Sequence, residues 1–119
     1  MNSKETISTI KTGTARRWTH GILVEGTIEL TQYYIAFKPT IATEYIGFLQ
    51  WSEYKNVIRL RKSMFRPPAF SVARTSGSHP LILCVDDIDD WMAAITSAHF
   101  SYTQSTVREQ IADTSSNDS

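Results

Sequence analysis

Apolar and polar residues alternate with a period of two through residues 26–39. Ile28 and Leu30 interleave with Thr27 and Glu29, and beyond Thr31-Gln32 the run Tyr33, Ile35, Phe37 interleaves with Tyr34, Ala36, Lys38. A strand with one face buried and the other wet has this pattern. Two antiparallel strands joined by a polar turn are therefore predicted here. Residues 17–24 read as the strand before them, with Trp18 and Ile22 or Leu23 inward, and Gly26 as the tight turn into residues 27–30. Pro39 ends the next strand, 33–38, because it has no N–H to donate.

Four more short runs follow. Residues 44–49 contribute Tyr45, Ile46, Phe48 and Leu49, and Gly47 suits a bulge or a close backbone approach. In residues 57–62, Ile58 and Leu60 should face inward and Arg59 and Arg61 outward. Residues 69–74 carry Phe70 and Val72 on one face, and residues 80–85 carry Leu81, Leu83 and Val85. Pro67-Pro68 and Thr75-Ser76-Gly77-Ser78 supply the breaks.

After Val85 the period changes. Ile88, Trp91, Met92, Ile95 and His99 fall at i, i+3, i+4, i+7 and i+11, one stripe of an amphipathic helix. Asp86 or Asp87 can cap its start, and Asp89 and Asp90 suit the positive end of the helix dipole. A divalent-cation site is the rival reading of these four aspartates. Their spacing is not that of a calcium loop, so no metal is expected. Seven strands and a final helix predict a mainly β fold: a bent antiparallel sheet or open barrel capped by one C-terminal α-helix. Trp91 would plug its open end.

The ends carry less pattern. Residues 1–15 offer only Ile7 and Ile10 as spaced apolar positions and are expected to be a flexible segment. The domain is placed at residues 16–102. Residues 103–119 are expected to be weakly helical, with Val107 and Ile111 four apart, and then disordered from 112 onward.

Composition narrows the function classes. The 119 residues are 41% hydrophobic, enough for one modest core. Twelve lysines and arginines balance twelve acids, so no global field draws the chain to nucleic acid or membrane. Tyr33, Tyr34 and Trp51 could stack on bases, but nucleic-acid binding normally comes with a basic domain and is not expected. The aromatic residues read mainly as core and sheet-face packing, with Tyr34 and Tyr54 off the inward register. Cys84 is the only cysteine, lies in an apolar run and is expected to be buried; no internal disulfide can form. The first twelve residues lack an apolar stretch of signal-peptide length, and no window approaches the length of a membrane span. A cytoplasmic protein, peripheral at a membrane at most, is the expectation. His20, His79 and His99 are far apart, and there is no nucleophile elbow, phosphate loop or zinc spacing. Hence no catalytic residue, no cofactor and no enzyme activity are expected.

The strongest local charge feature is Lys55, Arg59, Arg61, Lys62 and Arg66: five basic residues within twelve positions and no acid among them. Met64, Phe65, Pro67 and Pro68 are interspersed. A basic loop with an apolar tip can attract anionic headgroups and insert into their interface. The five basic residues are the candidate headgroup ligands, and Met64 and Phe65 the candidate membrane or partner contacts. The plainer alternative is a solvated strand face whose arginines pair with Glu44, Glu53 or the aspartates.

Between Trp18 and Phe100 the chain resembles the pleckstrin-homology superfold, and within it the GRAM-like branch. The resemblance rests on the glycine-strand-Leu-Thr-turn-Ile-x-Phe hairpin of residues 26–39, on Trp51-Ser52-Glu53-Tyr54-Lys55-Asn56-Val57, and on the Asp-Asp-x-x-x-Trp junction of residues 86–91. It implies a module that binds phosphoinositides, other anionic lipids, peptides or partner domains. The phosphoinositide binders carry a basic motif across the loop between the first two strands. Here that loop reads as Val24-Glu25-Gly26-Thr27, short and acidic, so the usual pocket is not expected. Two functions follow as expectations. One is a non-catalytic module that engages anionic lipid headgroups or an acidic partner through residues 55–68. The other is a protein-interaction or self-assembly module, a homo-oligomer included, working through a sheet edge or the sheet–helix groove.

Overall fold

A computed structural model describes residues 7–41 and 47–117, with side chains as far as Val107. Seven strands form one antiparallel sheet: β1 (Thr9–Thr19), β2 (Ile22–Thr31), β3 (Tyr34–Pro39), β4 (Gly47–Gln50), β5 (Tyr54–Leu60), β6 (Ala69–Arg74) and β7 (Leu81–Cys84). One helix follows, α1 (Ile88–Asn117). The sheet order β4-β3-β2-β1-β7-β6-β5 leaves β4 and β5 at its two ends. They are joined by a single 3-10 turn, Trp51–Glu53, so the sheet bends back on itself without closing. The fold is the mainly β, helix-capped sheet that the periodicity predicts.

Alternation decides the core. Ile28, Leu30, Ile35, Phe37, Leu49 and Leu81 are fully buried on the concave face. The first half of α1 closes that face with Ile88, Trp91, Ile95 and Ala98. Each large apolar side chain so buried contributes about 1.5–3 kcal/mol. Trp91 is 2% exposed, and its ring lies under β1, where a Cβ on Gly13 would come 3.2 Å from its Cζ2. Lys11 spans the outside of that ring, with Nζ 4.9 Å from its centroid and 3.6 Å from Asp87. Trp51 is 1% exposed and fixes the β4–β5 corner. Its Nε1 donates to the Thr31 carbonyl at 3.1 Å and its backbone N–H to the Tyr33 carbonyl at 3.0 Å.

The first hairpin differs from the sequence expectation. β1 starts at Thr9, so residues 9–15 are strand and not part of a flexible end. They pair with β2 from Thr9↔Thr31 to Ala15↔Gly26, an association through backbone hydrogen bonds that leaves little apolar signature. The turn into β2 is His20-Gly21, with φ of 51° and 78°, not Gly26. Two successive left-handed residues make the primed turn that matches strand twist. Gly26 lies buried inside β2, where a Cβ would sit 2.2 Å from the Lys38 carbonyl. Its glycine serves a close approach of β3, not a reversal. Gly47 serves a similar approach: its Cβ would lie 2.7 Å from Leu81 Cδ1.

Smaller differences concern facing and the helix end. Ile58 is 50% exposed, whereas Val57 is the half-buried residue against the core. The β5–β6 register slips between Tyr54 and Asn56, and a one-residue slip exchanges the faces of a strand. Tyr33 is exposed because it lies in the β2–β3 turn, and of the pair Ile22 or Leu23 it is Leu23 that is half-buried, Ile22 standing exposed at the strand tip. The helix is continuous to Asn117, so residues 112–117 do not leave it. Once the packed half is formed, each added residue gains a hydrogen bond without a new nucleus. Tyr45 and Ile46, expected in the fourth strand, lie outside the described residues.

Candidate functional site

β5 runs along one end of the sheet and delivers the chain into a loop, residues 61–68, that returns to β6. Two bonds fold this loop: Ser63 N–H donates to the Arg66 carbonyl at 2.8 Å, and Arg66 Nη1 donates to the Pro67 carbonyl at 3.0 Å. Met64 and Phe65, at its tip, are 88% and 77% exposed. Arg61 and Lys62 flank them, exposed and with no ion pair among the described residues.

The five predicted basic residues do not form one patch. Arg61, Lys62 and Arg66 share the loop. Lys55 lies at the opposite end of β5, four residues or about 13 Å from Arg59 at strand rise. Arg59 lies on the same strand face as Val57, stays exposed, and bonds through Nη1 to Asp89 in the first turn of α1. Glu53, one of the acids expected to pair with this run, is instead met by Arg74 of β6, with Nη1 3.1 Å away.

Beside the loop lies a cleft of about 850 Å³, bounded by Thr14–Arg16 of β1, by Pro67 and Pro68, and by the β7–α1 junction. It exists because β7 pairs with β1 only at Arg16↔Cys84 and Arg17↔Leu83 and then diverges. Arg16 and Arg59 line it together with five acids: Glu25, Asp86, Asp87, Asp89 and Asp90. Asp87 and Asp89 are paired with Lys11 and Arg59. Glu25, Asp86 and Asp90 have no ion pair among the described residues. The Arg16 position and the cleft itself were not foreseeable from spacing, since strand divergence brings them together. The only signal was the Arg16-Arg17 pair, sitting at the margin of the expected domain.

Cys84 is buried, and desolvation raises its thiol pKa although Arg66 and Arg16 pull the other way. The thiolate is thereby disfavoured as a nucleophile. His99 stands against Tyr54, ring centroids 4.2 Å apart, with Trp51 behind both. Burial lowers the His99 pKa and raises that of Tyr54, the latter opposed by hydrogen bonds to Thr96 and Val57. His20 sits in the β1–β2 turn and His79 between β6 and β7, so the histidines share no site. Among the described residues no group of three or more His, Cys, Asp or Glu is arranged to hold a metal ion, and no helix is long and apolar enough to cross a membrane. A second, smaller groove of about 260 Å³ lies between Tyr33, Tyr34, Gln50, Ser52 and Tyr102. The Tyr34 ring beside it rests 4.9 Å from Phe48.

No protein-family model matches the chain, and no curated protein matches it in sequence. Solved structures do resemble it. The C-terminal domain of an unknown protein from Leishmania infantum superposes with a TM-score of 0.68 at 18% identity, over 79% of this chain and 85% of that one. The Vps36 N-terminal PH domain superposes with a TM-score of 0.61 at 13% identity, over 89% of this chain and 86% of that one. At such identities the likeness is one of fold: the chain has the pleckstrin-homology-like fold.

Proposed function

We propose that this chain is a non-catalytic, GRAM-like binding module that docks peripherally on anionic lipid headgroups through the loop of residues 61–68. The observation that carries the reading is the tip itself. Met64 and Phe65 are almost wholly exposed between basic residues that no acid of the described chain neutralises. Large apolar side chains standing singly in water gain by entering an interface, and basic neighbours hold them at an anionic one. Each basic residue close to such a surface adds about 1 kcal/mol, so Arg61, Lys62 and Arg66 together supply about 3 kcal/mol. That is about a hundredfold in affinity, suited to reversible docking. Lys55 assists from the strand as background charge, whereas the charge of Arg59 is met by Asp89. No cofactor enters this function.

Flotation with neutral and anionic vesicles tests it. Binding should need anionic lipid, weaken with salt and be lost in Met64→Ser/Phe65→Ser. Equal flotation with neutral vesicles, or none with any vesicle, refutes the reading. The alternative, a protein-interaction or assembly module with no lipid ligand, draws on the position of β5 at the end of the sheet with Ile58 half exposed on it. An acidic protein partner would use the same basic loop and compete with vesicles for it.

A further inference from the structure

The chain is neutral as a whole, but its charge is segregated. Residues 55–66 hold five basic residues and no acid, and residues 86–90 hold four acids and no basic residue. Both segments border the same cleft: Pro67 and Pro68 at the foot of the loop form one side, and Asp86–Asp90 form another. Within one molecule the two sets are only partly reconciled. Arg59 meets Asp89, whereas Arg61, Lys62, Asp86 and Asp90 make no ion pair among the described residues. The loop is folded by its Ser63–Arg66 bond, and Met64 and Phe65 at its tip stand in solvent and do not line the cleft that the loop borders.

The geometry points to a second copy of this chain as the occupant of the cleft. In this arrangement each molecule places its Arg61–Arg66 loop in the acidic cleft of the other. Arg61 and Lys62 would meet the partner copy's unpaired carboxylates, and the Met64–Phe65 tip would leave water. Loop and cleft are adjacent, so a twofold axis can satisfy both contacts at once and the assembly closes as a dimer. The cleft holds five acids against two arginines, Arg16 and Arg59, and complementarity between its unpaired carboxylates and the unpaired cations of the loop selects this occupant over an apolar or acidic one. The inference does not rest on lipid binding, but it bears on it. The dimer hides the same tip, so self-association and membrane docking would exclude each other.

Sedimentation velocity without lipid tests the proposal. The full chain should show a monomer–dimer equilibrium whose dissociation constant rises about tenfold or more between about 0.01 and 1 M salt, as the Debye length shrinks from about 30 to about 3 Å. Arg61→Glu/Lys62→Glu alone should be monomeric, and so should Asp86→Lys/Asp90→Lys alone. Mixed together they should dimerise, because each loop then meets a cleft of opposite sign. Thermal unfolding of each variant checks that it is folded, and the salt series of the unaltered chain stands without any variant. A chain that stays monomeric at every concentration overturns the proposal. So does a dimer indifferent to salt, or a mixture no more associated than its components. A monomeric chain whose cleft instead binds a Lys/Arg-rich model peptide, with loss in Asp86→Lys/Asp90→Lys, assigns the cleft to a foreign basic segment and also overturns it. Flotation reports on the membrane reading separately.

Discussion

Arg59 of β5 is hydrogen-bonded to Asp89 in the first turn of α1, which ties the end strand of the sheet to the helix that caps it. The pair is well exposed, with side chains 53% and 81% accessible, so it fixes orientation more than it stabilises. It also removes Arg59 from the set of cations free to meet an anionic surface. A strand arginine and a loop arginine of the same basic run therefore stand in different electrostatic surroundings.

That division can be measured. Arg59→Gln should lower stability by no more than about 1 kcal/mol, the range of exposed pairs, and change vesicle affinity little. Arg61→Gln/Lys62→Gln should leave stability unchanged and weaken anionic-vesicle binding by about 2 kcal/mol, about thirtyfold. Titration of both variants with anionic vesicles, beside their melting curves, decides it. Equal losses for the two would contradict the separation.

The two strand glycines of the first hairpin, Gly13 and Gly26, should differ in tolerance. A Cβ at Gly26 would lie 2.2 Å from a backbone carbonyl, and the strand pair must move to admit it. At Gly13 the obstacle is a Trp91 ring carbon at 3.2 Å, which a small tilt can relieve. Gly26→Ala should cost about 1–3 kcal/mol or more, and Gly13→Ala clearly less. Chemical denaturation of the two variants gives the order directly.

Stability should depend on pH through His99. Burial among Tyr54 and Trp51 lowers its pKa from the ordinary 6.5, so the folded state holds its proton more weakly than the unfolded state. Where the unfolded chain binds more protons, stability rises with pH. The stability is therefore fully present above 6.5 and declines as pH falls from 6.5 toward the lower folded-state value. His99→Gln should flatten the melting temperature over that window relative to the unaltered chain. An unchanged slope in the variant would place the titration elsewhere.

Cys84 should behave as a reporter of unfolding. It is 4% exposed, and desolvation holds its thiol pKa above the ordinary value. Alkylation of the native protein should be slow and become rapid across the denaturation midpoint. Fast labelling under native conditions would show that the β7–α1 junction opens readily.

Burying Trp51 ties three elements together, and its removal shows what the corner contributes. Trp51→Ala loses a fully enclosed indole and its bond to the Thr31 carbonyl. A loss of about 3–5 kcal/mol is expected from calorimetry or denaturant melts. A smaller loss would mean that the 3-10 turn and the sheet hold the corner without the indole.

Alternation alone determined most of the sheet, because a half-buried strand must repeat every two residues. Ile28, Leu30, Ile35, Phe37, Leu81 and Leu83 are where that period puts them, and the shift to a helical period announces Trp91 and Ile95. Residues 9–15 escaped the pattern because their pairing is a matter of backbone hydrogen bonds, which no side chain records. Gly26 was misread because a glycine needed for close approach and one needed for a turn are the same letter. The basic run of residues 55–66 is plain in the sequence, but local order does not say which cations remain unpaired. Tertiary structure decided that: a register slip turned Arg59 toward Asp89, and the divergence of β7 from β1 set the acidic cleft beside the loop. Electrostatic pairing depends on through-space distance, and only the folded chain brings residues thirty positions apart into contact.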